Sequence, residues 1–444
     1  NMDFAAQKAA VHDLARDMYR ATSDRDAKAA QMAGAVKAIK SSGINDMHKA
    51  VLIQEVVISY SLYQLTQNPL SLGLIALAEL IPFICLSLLG GHWADRFNRQ
   101  KILQWSFSCS AAIPLLFIAL FHAYQQQAIP QSALLLGIYS LMFCLGILRG
   151  IYSPSFNSLR PFLVPEHAYA NASAWTSMIW QIGAIAGPVC AGLLFSQFGL
   201  ESVLFFAFIL CCIGSIALYA LSPREFPRAS AQRMAESLKE ALLFIFRQRL
   251  MFWAILLDLA LMLFCGVAIL LPVFAEDILH QGAEGLGILR AAPAAGSCLM
   301  MLCLTLVSPM RHAWRNMLMA SLGIACCTLA FALSPFFWLS AALLAAAGAL
   351  DSISMVIRQT LFQQLPPKAL LGRVAALNGI LVTSGNQFGA LHASFMARYF
   401  TAVPATLIGG GICLLIGCAS LMRTRDLLKA PDSHDRYALP TTEK

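Results

Sequence analysis

The sequence predicts an all-α membrane protein with twelve transmembrane helices in two six-helix halves. Of its 444 residues, 58% are hydrophobic and only 12% are charged. Soluble domains carry about a quarter charged residues, so this chain lacks the polar surface that water would require, and a lipid bilayer must cover it. A helix that crosses a bilayer needs about 20 predominantly apolar residues. Suitable apolar runs occur at 49–66, 69–93, 101–123, 132–158, 171–196, 200–221, 250–275, 284–308, 315–334, 336–362, 373–400 and 403–422.

The basic residues between these runs predict the orientation of the chain. The gaps at 94–101, 222–249 and 309–316 contain Lys and Arg, whereas alternate gaps such as 124–131 contain none, and Arg398 is the one exception. Lys and Arg remain on the cytoplasmic side of a membrane. We therefore expect a multi-pass protein of the inner membrane with both termini in the cytoplasm. The net charge of +8 follows from this topology, and no nucleic-acid partner is expected.

The distribution of charge also divides the chain into segments. Residues 1–48 are charged and alanine-rich and show no cleavable signal pattern. They are predicted to form a cytoplasmic amphipathic segment, and because residue 1 is not methionine, one interpretation is that part of it was added artificially. The other predicted segments are an N-terminal six-helix half at 49–221, a cytoplasmic linker at 222–249 whose part 232–246 lies along the membrane surface, a C-terminal six-helix half at 250–425, and a cytoplasmic tail at 426–444.

The two predicted halves resemble each other in sequence. Pro165 and Pro366 each end a Leu/Val-Pro turn after the fourth and tenth runs, and they lie 201 positions apart. Gly187 and Gly389, in the fifth and eleventh runs, lie 202 positions apart. Parallel halves related by an axis along the membrane normal are the plan of one large class of transporters.

The sequence contains none of the residue arrangements that are typical of enzymes. It has no Ser/His/Asp set, no metal-ligand cluster and no phosphate-binding glycine loop. Most of the thirteen cysteines lie inside apolar runs, as Cys85, Cys144, Cys190 and Cys265 do, and none forms a CxxC pair. We expect them to be small buried side chains rather than disulfides or metal ligands. No enzymatic activity, cofactor or metal is therefore predicted.

A motif follows the second run, where the sequence reads GHWADRFNRQK from Gly91 to Lys101. It resembles the GxxxDRxGRR signature of the major facilitator superfamily, with Asn98 in place of the last glycine. Both residue types tolerate a positive φ, so the turn should survive the replacement. The alternative is a simple positive-inside cluster. The resemblance implies a transporter in which Asp95 faces the N-terminus of the eleventh helix and latches the two halves at the cytoplasmic face. The predicted latch consists of Gly91, Asp95, Arg96, Arg99, Gly372 and Arg373.

The fifth run contains a second motif with small residues at regular spacing. Gly183, Gly187, Pro188 and Gly192 resemble the antiporter signature GxxxGPxxGG of the same superfamily. Its glycines permit close helix contact and its proline bends the helix. The alternative is ordinary small-residue packing. The resemblance implies export by exchange, commonly against protons.

Further segments narrow the resemblance to one group of facilitators. The segments 63–66, 69–74, 272–275 and 285–293 are similar to those of enterobactin-exporter-like facilitators, and the resemblance extends over about 50 to 425. That group contains siderophore and drug exporters. The resemblance therefore implies a protein that exports a small organic molecule.

Charged residues inside the runs are candidates for proton coupling. Glu55 and Asp258 lie 203 positions apart, and Arg149 and Asp351 lie 202 apart, which matches the repeat. Each intramembrane charge costs at least about 2.5–3.5 kcal/mol on insertion scales, so it must face a cavity or a partner. We expect Arg149 to pair alternately with acidic partners while one acid binds a proton, whereas static structural pairs are the alternative. We expect Arg358 to reach the membrane interface.

Aromatic and polar residues in the same runs are candidates for a substrate cavity, although each could equally serve in packing. They would suit an amphipathic substrate that carries rings. These candidates are Tyr60, Tyr139, Phe143, Gln181, Phe264, Arg290, Asn378 and Asn386.

Together these features predict a monomeric transporter that exports a siderophore or drug-like molecule by proton antiport with alternating access. Its partners would be the substrate, protons and the lipid bilayer. One alternative is an importer or lipid translocator on the same fold, because fold does not fix substrate or direction. Another is a membrane sensor or scaffold that does not transport, which would not need matched charges in four helices.

Overall fold

In a computed structural model of the protein, the regular structure of the described residues is helical throughout. The structure describes residues 44–96, 98–163, 169–220, 234–306, 309–367 and 370–424. The predictions for residues 1–43 and for the tail at 426–444 lie outside these ranges. The predicted all-α fold is confirmed.

The helices follow the predicted runs closely. The first five are α1 (Ile44–Thr66), α2 (Pro69–Arg96), α3 (Arg99–Gln125), α4 (Gln131–Leu163) and α5 (Tyr169–Tyr219). The others are α6 (Met234–Arg247), α7 (Arg249–Phe264), α8 (Gly282–Leu306), α9 (Ala313–Leu333), α10 (Phe337–Gln364), α11 (Leu371–Phe400) and α12 (Ala402–Arg423). The first helix begins five residues before the predicted run at 49–66.

The long α5 contains both the fifth and the sixth predicted runs. It is broken at Gly199, whose φ of 76° and ψ of 179° are not helical. Glycine adopts such a positive φ without the steric penalty that a Cβ would bring. The break therefore lies where the sequence predicted the turn between the two runs.

Nine helical stretches in the described part of the chain are long and apolar enough to cross a membrane. One of them, Gln181–Tyr219, spans the break in α5, whereas α1 and α11 are helices that are not among the nine. The chain is thus a multi-pass membrane protein, and the number of twelve crossings stays a prediction.

The seventh predicted run, at 250–275, is not one helix as expected. It ends as α-helix at Phe264 and continues through a 3₁₀ turn (Val267–Leu270), a short α turn (Leu271–Val273) and a π turn (Phe274–Ile278). Gly266 has a non-helical ψ of 70°, and Pro272 has no amide hydrogen to donate to the preceding turn. The irregular segment 265–278 therefore forms the end of this crossing.

Helices pair in the same way in the two parts of the chain. We call α1–α5 the N-terminal half and α7–α12 the C-terminal half, although the predicted domain boundaries stay predictions. In the N-terminal half α1 packs on α5 and α2 on α4, and in the C-terminal half α7 packs on α11 and α8 on α10. Equivalent glycines permit one of these contacts, because Gly187 lies against Leu52 of α1 and Gly389 against the Met262 carbonyl of α7. The repeat seen in the sequence is thus a repeat of helix packing.

Asn98 does not use the positive φ that its residue type tolerates. Its φ of −66° and ψ of 113° are extended, and it is the N-cap of α3. Its side-chain oxygen accepts hydrogen bonds from the backbone N–H groups of Gln100, at 2.9 Å, and Lys101, at 3.4 Å. Asparagine at this position satisfies free amides at a helix start, which requires no left-handed backbone.

The linker contains the predicted amphipathic helix. Its bounds, Met234–Arg247, nearly match the predicted 232–246. Ile245 is buried, whereas Leu242, Leu243 and Phe246 on the same helix are exposed. Its location on the membrane surface stays a prediction.

The cysteines differ from expectation in their exposure. All thirteen are free, and Cys85, Cys144 and Cys190 are exposed rather than buried. These residues lie in membrane-crossing helices, where lipid is as apolar as the protein interior. A thiol exposed on the lipid-facing side of such a helix therefore has apolar surroundings.

Candidate functional site

One cluster of charges lies in the N-terminal half and centres on Arg149 of α4. Its Nη1 lies 2.5 Å from Oε1 of Glu79 on α2 and 3.8 Å from Oε1 of Glu55 on α1. The Glu79 side chain is 5% exposed, whereas those of Arg149 and Glu55 are 33% and 25% exposed. Arg149 is therefore shared between a buried carboxylate and a more accessible one.

A second cluster lies in the C-terminal half. Asp258 of α7 forms an ion pair with Arg358 of α10, and both side chains are 6% exposed. The expectation that Arg358 reaches the interface was wrong, because the buried Asp258 carboxylate requires a counter-charge. Asp351, two helical turns before Arg358 on α10, is exposed and interacts electrostatically with both members of the pair.

The structure brings the four predicted charges together two by two rather than in one group. Glu55 lies beside Arg149, and Asp351 lies near Asp258. The principal partners in the two clusters, Glu79 and Arg358, were not predicted from the sequence. The spacing of Arg358 seven residues after Asp351 was the available signal, since residues two turns apart share a helix face.

Arg290 lies on α8, a helix of the C-terminal half that packs against α5 and α1 of the N-terminal half. Its Nε atom is buried and has no hydrogen-bond partner among the described residues. The prediction that Arg290 lines a substrate cavity stays a prediction.

Hydrogen bonds join α1 to the irregular segment 265–278 at the predicted outer end of the bundle. The Tyr60 hydroxyl donates to Oε2 of Glu276 at 2.5 Å, and the Tyr63 hydroxyl donates to Asp277. Nearby, Ser196 of α5 donates to Oε1 of Glu284 on α8 at 2.6 Å. The donors all come from the N-terminal half and the acceptors from the C-terminal half. We call these three bonds the outer contacts.

The antiporter-type motif of α5 packs on two different helices. Gly183 and Gly187 face α1, whereas Gly192 faces α8, where an added Cβ would overlap the Ala283 carbonyl. A Cβ added at Gly287 of α8 would likewise overlap the carbonyl of Pro188. The small residues therefore permit close approach both within the N-terminal half and between the halves.

The other predicted cavity residues lie in several different environments. The Tyr139 hydroxyl is 3.5 Å from the Ser71 carbonyl oxygen, and the Phe264 ring lies edge-on to His392 with centroids 5.2 Å apart. Tyr60 belongs to the outer contacts described above. Phe143 and Asn386 are exposed, and Gln181 and Asn378 are half-buried.

The predicted cytoplasmic latch is described only in part. Helices α2 and α11 pack against each other, Arg99 is buried, and Nη1 of Arg373 lies 2.5 Å from Oε2 of Glu240 on α6. The start of α11 is thus tied to the linker helix. The surroundings of Gly91, Asp95, Arg96 and Gly372 lie outside the described residues, so the Asp95 contact stays a prediction.

Comparison with known proteins identifies relatives over most of the chain. The family model for the Major Facilitator Superfamily matches residues 50–390. The enterobactin exporter EntS of Citrobacter koseri is 25% identical over 390 residues, which cover 85% of this chain and 90% of that protein. The exporter of the same name from Shigella boydii serotype 18 is 26% identical over 341 residues, which cover 76% of this chain and 79% of that protein.

Solved structures with the same fold cover nearly the whole chain. A bacterial homologue of the human lysosomal transporter Spinster, in an inward-facing and unoccupied conformation, has a TM-score of 0.67 at 15% identity and covers 90% of this chain and 98% of that chain. A bacterial homologue of the iron transporter ferroportin has a TM-score of 0.63 at 17% identity and covers 86% and 98% of the two chains. At these identities the likeness concerns the fold.

Proposed function

Because this chain belongs to the Major Facilitator Superfamily, a family of transporters rather than enzymes, we propose that it exports a siderophore or drug-like amphipath in exchange for protons. The relatives that match most of the chain are named enterobactin exporters, which supports both the direction and the class of substrate. We further propose that the protein is a monomer in the inner membrane, with twelve crossings and both termini in the cytoplasm.

The observation that carries the proton coupling is the C-terminal charge cluster. Asp258 and Arg358 form a buried ion pair, and the exposed carboxylate of Asp351 interacts with both. The three groups together carry one surplus negative charge, which is costly at membrane depth. A proton on Asp351 removes the surplus without breaking the buried pair. Asp351 is therefore the better candidate for the coupling acid, and Asp258 for its fixed neighbour.

Alternating access requires contacts between the halves that can open and close. The outer contacts are candidates for the external gate, and the crossing of α5 and α8 for the surface on which the halves rock. The Asp95 latch would act at the opposite face. Arg149, held by Glu79 and Glu55, would keep the N-terminal half rigid while the C-terminal cluster changes its protonation.

The test is gradient-driven transport of a siderophore and dye panel by the full chain in proteoliposomes with an imposed pH gradient. We expect the parent to accumulate at least one compound against its concentration gradient. The Asp351→Asn variant should lose this accumulation, while passive exchange of the compound persists. Glu201→Gln is the matched control, because it also replaces a carboxylate by an amide but lies outside the two charge clusters. The Glu201 carboxylate is partly exposed and lies 3.5 Å from His122. This variant should behave like the parent.

Three outcomes would contradict the proposal. If folded Asp351→Asn and Asp258→Asn both still concentrate substrate, these carboxylates do not carry the coupling proton. If the imposed pH gradient drives a compound in the direction of import rather than export, the protein is an importer. If folded protein transports nothing in the panel under any gradient, a sensor or scaffold becomes the better interpretation.

A further inference from the structure

The linker helix α6 ends in a group of apolar side chains that are exposed. Leu242, Leu243 and Phe246 are 40%, 48% and 59% exposed, in the last turns of the helix. Only Gln248 separates α6 from the stretch Arg249–Ile278, which is long and apolar enough to cross a membrane. At a rise of about 1.5 Å per residue, the exposed group lies within ~10 Å of the point where the chain enters the bilayer.

The opposite side of α6 is fixed to the C-terminal half. Oε2 of Glu240 lies 2.5 Å from Nη1 of Arg373 at the start of α11. Ile245 is buried in an apolar cluster with residues of three other helices, namely Met251 and Ile255 of α7, Phe362 of α10 and Val374 of α11. Because Met251 and Ile255 belong to the first turns of α7, α6 folds back against the end of the bundle. Its exposed face points away from the bundle.

A row of aromatic rings indicates the depth of this face in the membrane. The ring centroid of Phe246 lies 5.6 Å from that of Phe252 in α7, and the centroid of Phe252 lies 5.9 Å from that of Trp253. Tryptophan is enriched at the boundary between lipid and water, and Trp253 lies in the first two turns of α7. The exposed face of α6 is therefore at the level of the lipid headgroups and the first part of their acyl chains.

Three arginines from three helices meet at the same junction. Arg247 is the last residue of α6, Arg249 is the first of α7 and Arg423 is the last of α12, and all three are exposed. Nη2 of Arg249 donates a hydrogen bond to the backbone carbonyl oxygen of Arg423 at 2.9 Å, which joins the two helix ends. Guanidinium groups bind phosphate through charge-assisted hydrogen bonds. Cations beside an exposed apolar face are the features with which an interfacial helix binds anionic lipid.

We propose that the apolar face of α6 and these arginines form a binding surface for an anionic phospholipid of the surrounding leaflet. The acyl chains lie along Leu242, Leu243 and Phe246, and the headgroup phosphate accepts hydrogen bonds from Arg247 and Arg249. A zwitterionic lipid offers the same acyl chains, but its cationic group repels the arginines, so it binds more weakly. The surface shares no residue with the two charge clusters, so lipid binding there requires neither substrate nor proton exchange.

The test measures lipid binding to the full chain in detergent by native mass spectrometry, without substrate or gradient. Phosphatidylglycerol and phosphatidylcholine with identical acyl chains are the probes, and the parent should bind phosphatidylglycerol more tightly. Arg247→Gln and Arg249→Gln should each lower the affinity for phosphatidylglycerol by about five-fold, because a basic residue near an anionic lipid surface contributes about that factor. Arg398→Gln is the matched control, since Arg398 is exposed at the opposite end of α11. It should bind lipid like the parent.

The contribution of the apolar face is tested separately. Leu242→Ser with Phe246→Ser should weaken the binding of both lipids, because acyl chains lose their contact whatever the headgroup. Leu415→Ser is the matched control, since Leu415 is also an exposed apolar residue, 70% exposed on α12. This variant should retain the affinity of the parent for both lipids.

The proposal is overturned if the parent binds the two lipids equally, or if folded protein with both arginine replacements retains its affinity for phosphatidylglycerol. Displacement of the lipid by an equal concentration of glycerol phosphate would mean that the surface binds a soluble anion instead. A dimer in size-exclusion chromatography that Phe246→Ser disperses would assign the face to a second copy of the chain. If the double arginine variant does not fold, Arg247→Gln alone gives the measurement, because Arg247 is exposed at the end of α6.

Discussion

Replacement of Glu79 by glutamine should destabilise the protein by about 2–4 kcal/mol. With an effective dielectric constant of about 20, unit charges attract by ~6–7 kcal/mol at 2.5 Å and by ~4 kcal/mol at 3.8 Å, the distances from Arg149 to Glu79 and Glu55. In the variant Arg149 keeps Glu55 but loses the whole attraction to Glu79. The loss is largely offset, because the repulsion between Glu79 and Glu55 and the cost of burying the Glu79 charge disappear with it, which leaves a net electrostatic loss of about 2 kcal/mol. Loss of a hydrogen bond between charged groups adds about 1.5–3 kcal/mol, part of which the glutamine amide restores. The total remains below or near the ~3–5 kcal/mol that follows from an uncompensated buried charge.

The assay is unfolding of purified protein in detergent micelles by titration with SDS, followed by tryptophan fluorescence. Glu79→Gln, Arg149→Gln and the double variant form a cycle, and Glu201→Gln is the control. The double variant should be more stable than Arg149→Gln alone, because Arg149→Gln leaves Glu79 and Glu55 facing each other without a cation. Strictly additive effects, or a Glu79→Gln variant as stable as the parent, would refute the argument that Arg149 is held by a buried pair.

Three further predictions concern contacts between the halves and the orientation of the chain. Gly287→Ala should lower the folded yield in size-exclusion chromatography because its Cβ would overlap the Pro188 carbonyl, whereas Gly411→Ala should match the parent because nothing lies within 4 Å of its added Cβ. Asp95→Asn should shift the population toward the cytoplasm-open form by a few-fold to tens-fold, since a carboxylate at a helix N-terminus contributes about 0.3–1 kcal/mol and up to about 2 when partly buried; unchanged spin-label distances between α2 and α11 would contradict the latch. A thiol at Ala235→Cys, in a cysteine-free background, should react with impermeant reagent only from the cytoplasmic side, and labelling only from outside would reverse the topology.

The helices could be predicted from the sequence because apolar length alone decides whether a segment crosses a bilayer. The runs and the helices agree within a few residues except where local chemistry intervenes. Gly266 and Pro272 interrupt the seventh run, and hydropathy does not detect them because both occur in membrane helices. The N-cap role of Asn98 could not be predicted from the motif alone, since asparagine serves both as a left-handed residue and as an N-cap.

The charge pairs could be predicted only in part. The repeat offset identifies equivalent positions, such as Arg149 and Asp351, without reference to helix rotation or depth. Which carboxylate an arginine reaches depends on those two quantities, which the spacing does not contain. The ion-pair partners Glu79 and Arg358 were therefore not predicted, although both are buried.

The two halves repeat their helix packing but not their charges, and this difference is where the mechanism has to act. In the N-terminal half the crossing of α2 and α4 carries an acid and a base that pair directly, Glu79 and Arg149. In the C-terminal half Asp258 of α7 pairs instead with Arg358 of α10, and Asp351 lies exposed two helical turns earlier on α10. A half whose charges are paired internally gains nothing from rearranging them. A half in which an exposed acid lies beside a buried pair can take up a proton without breaking that pair, and this is the step that proton coupling requires.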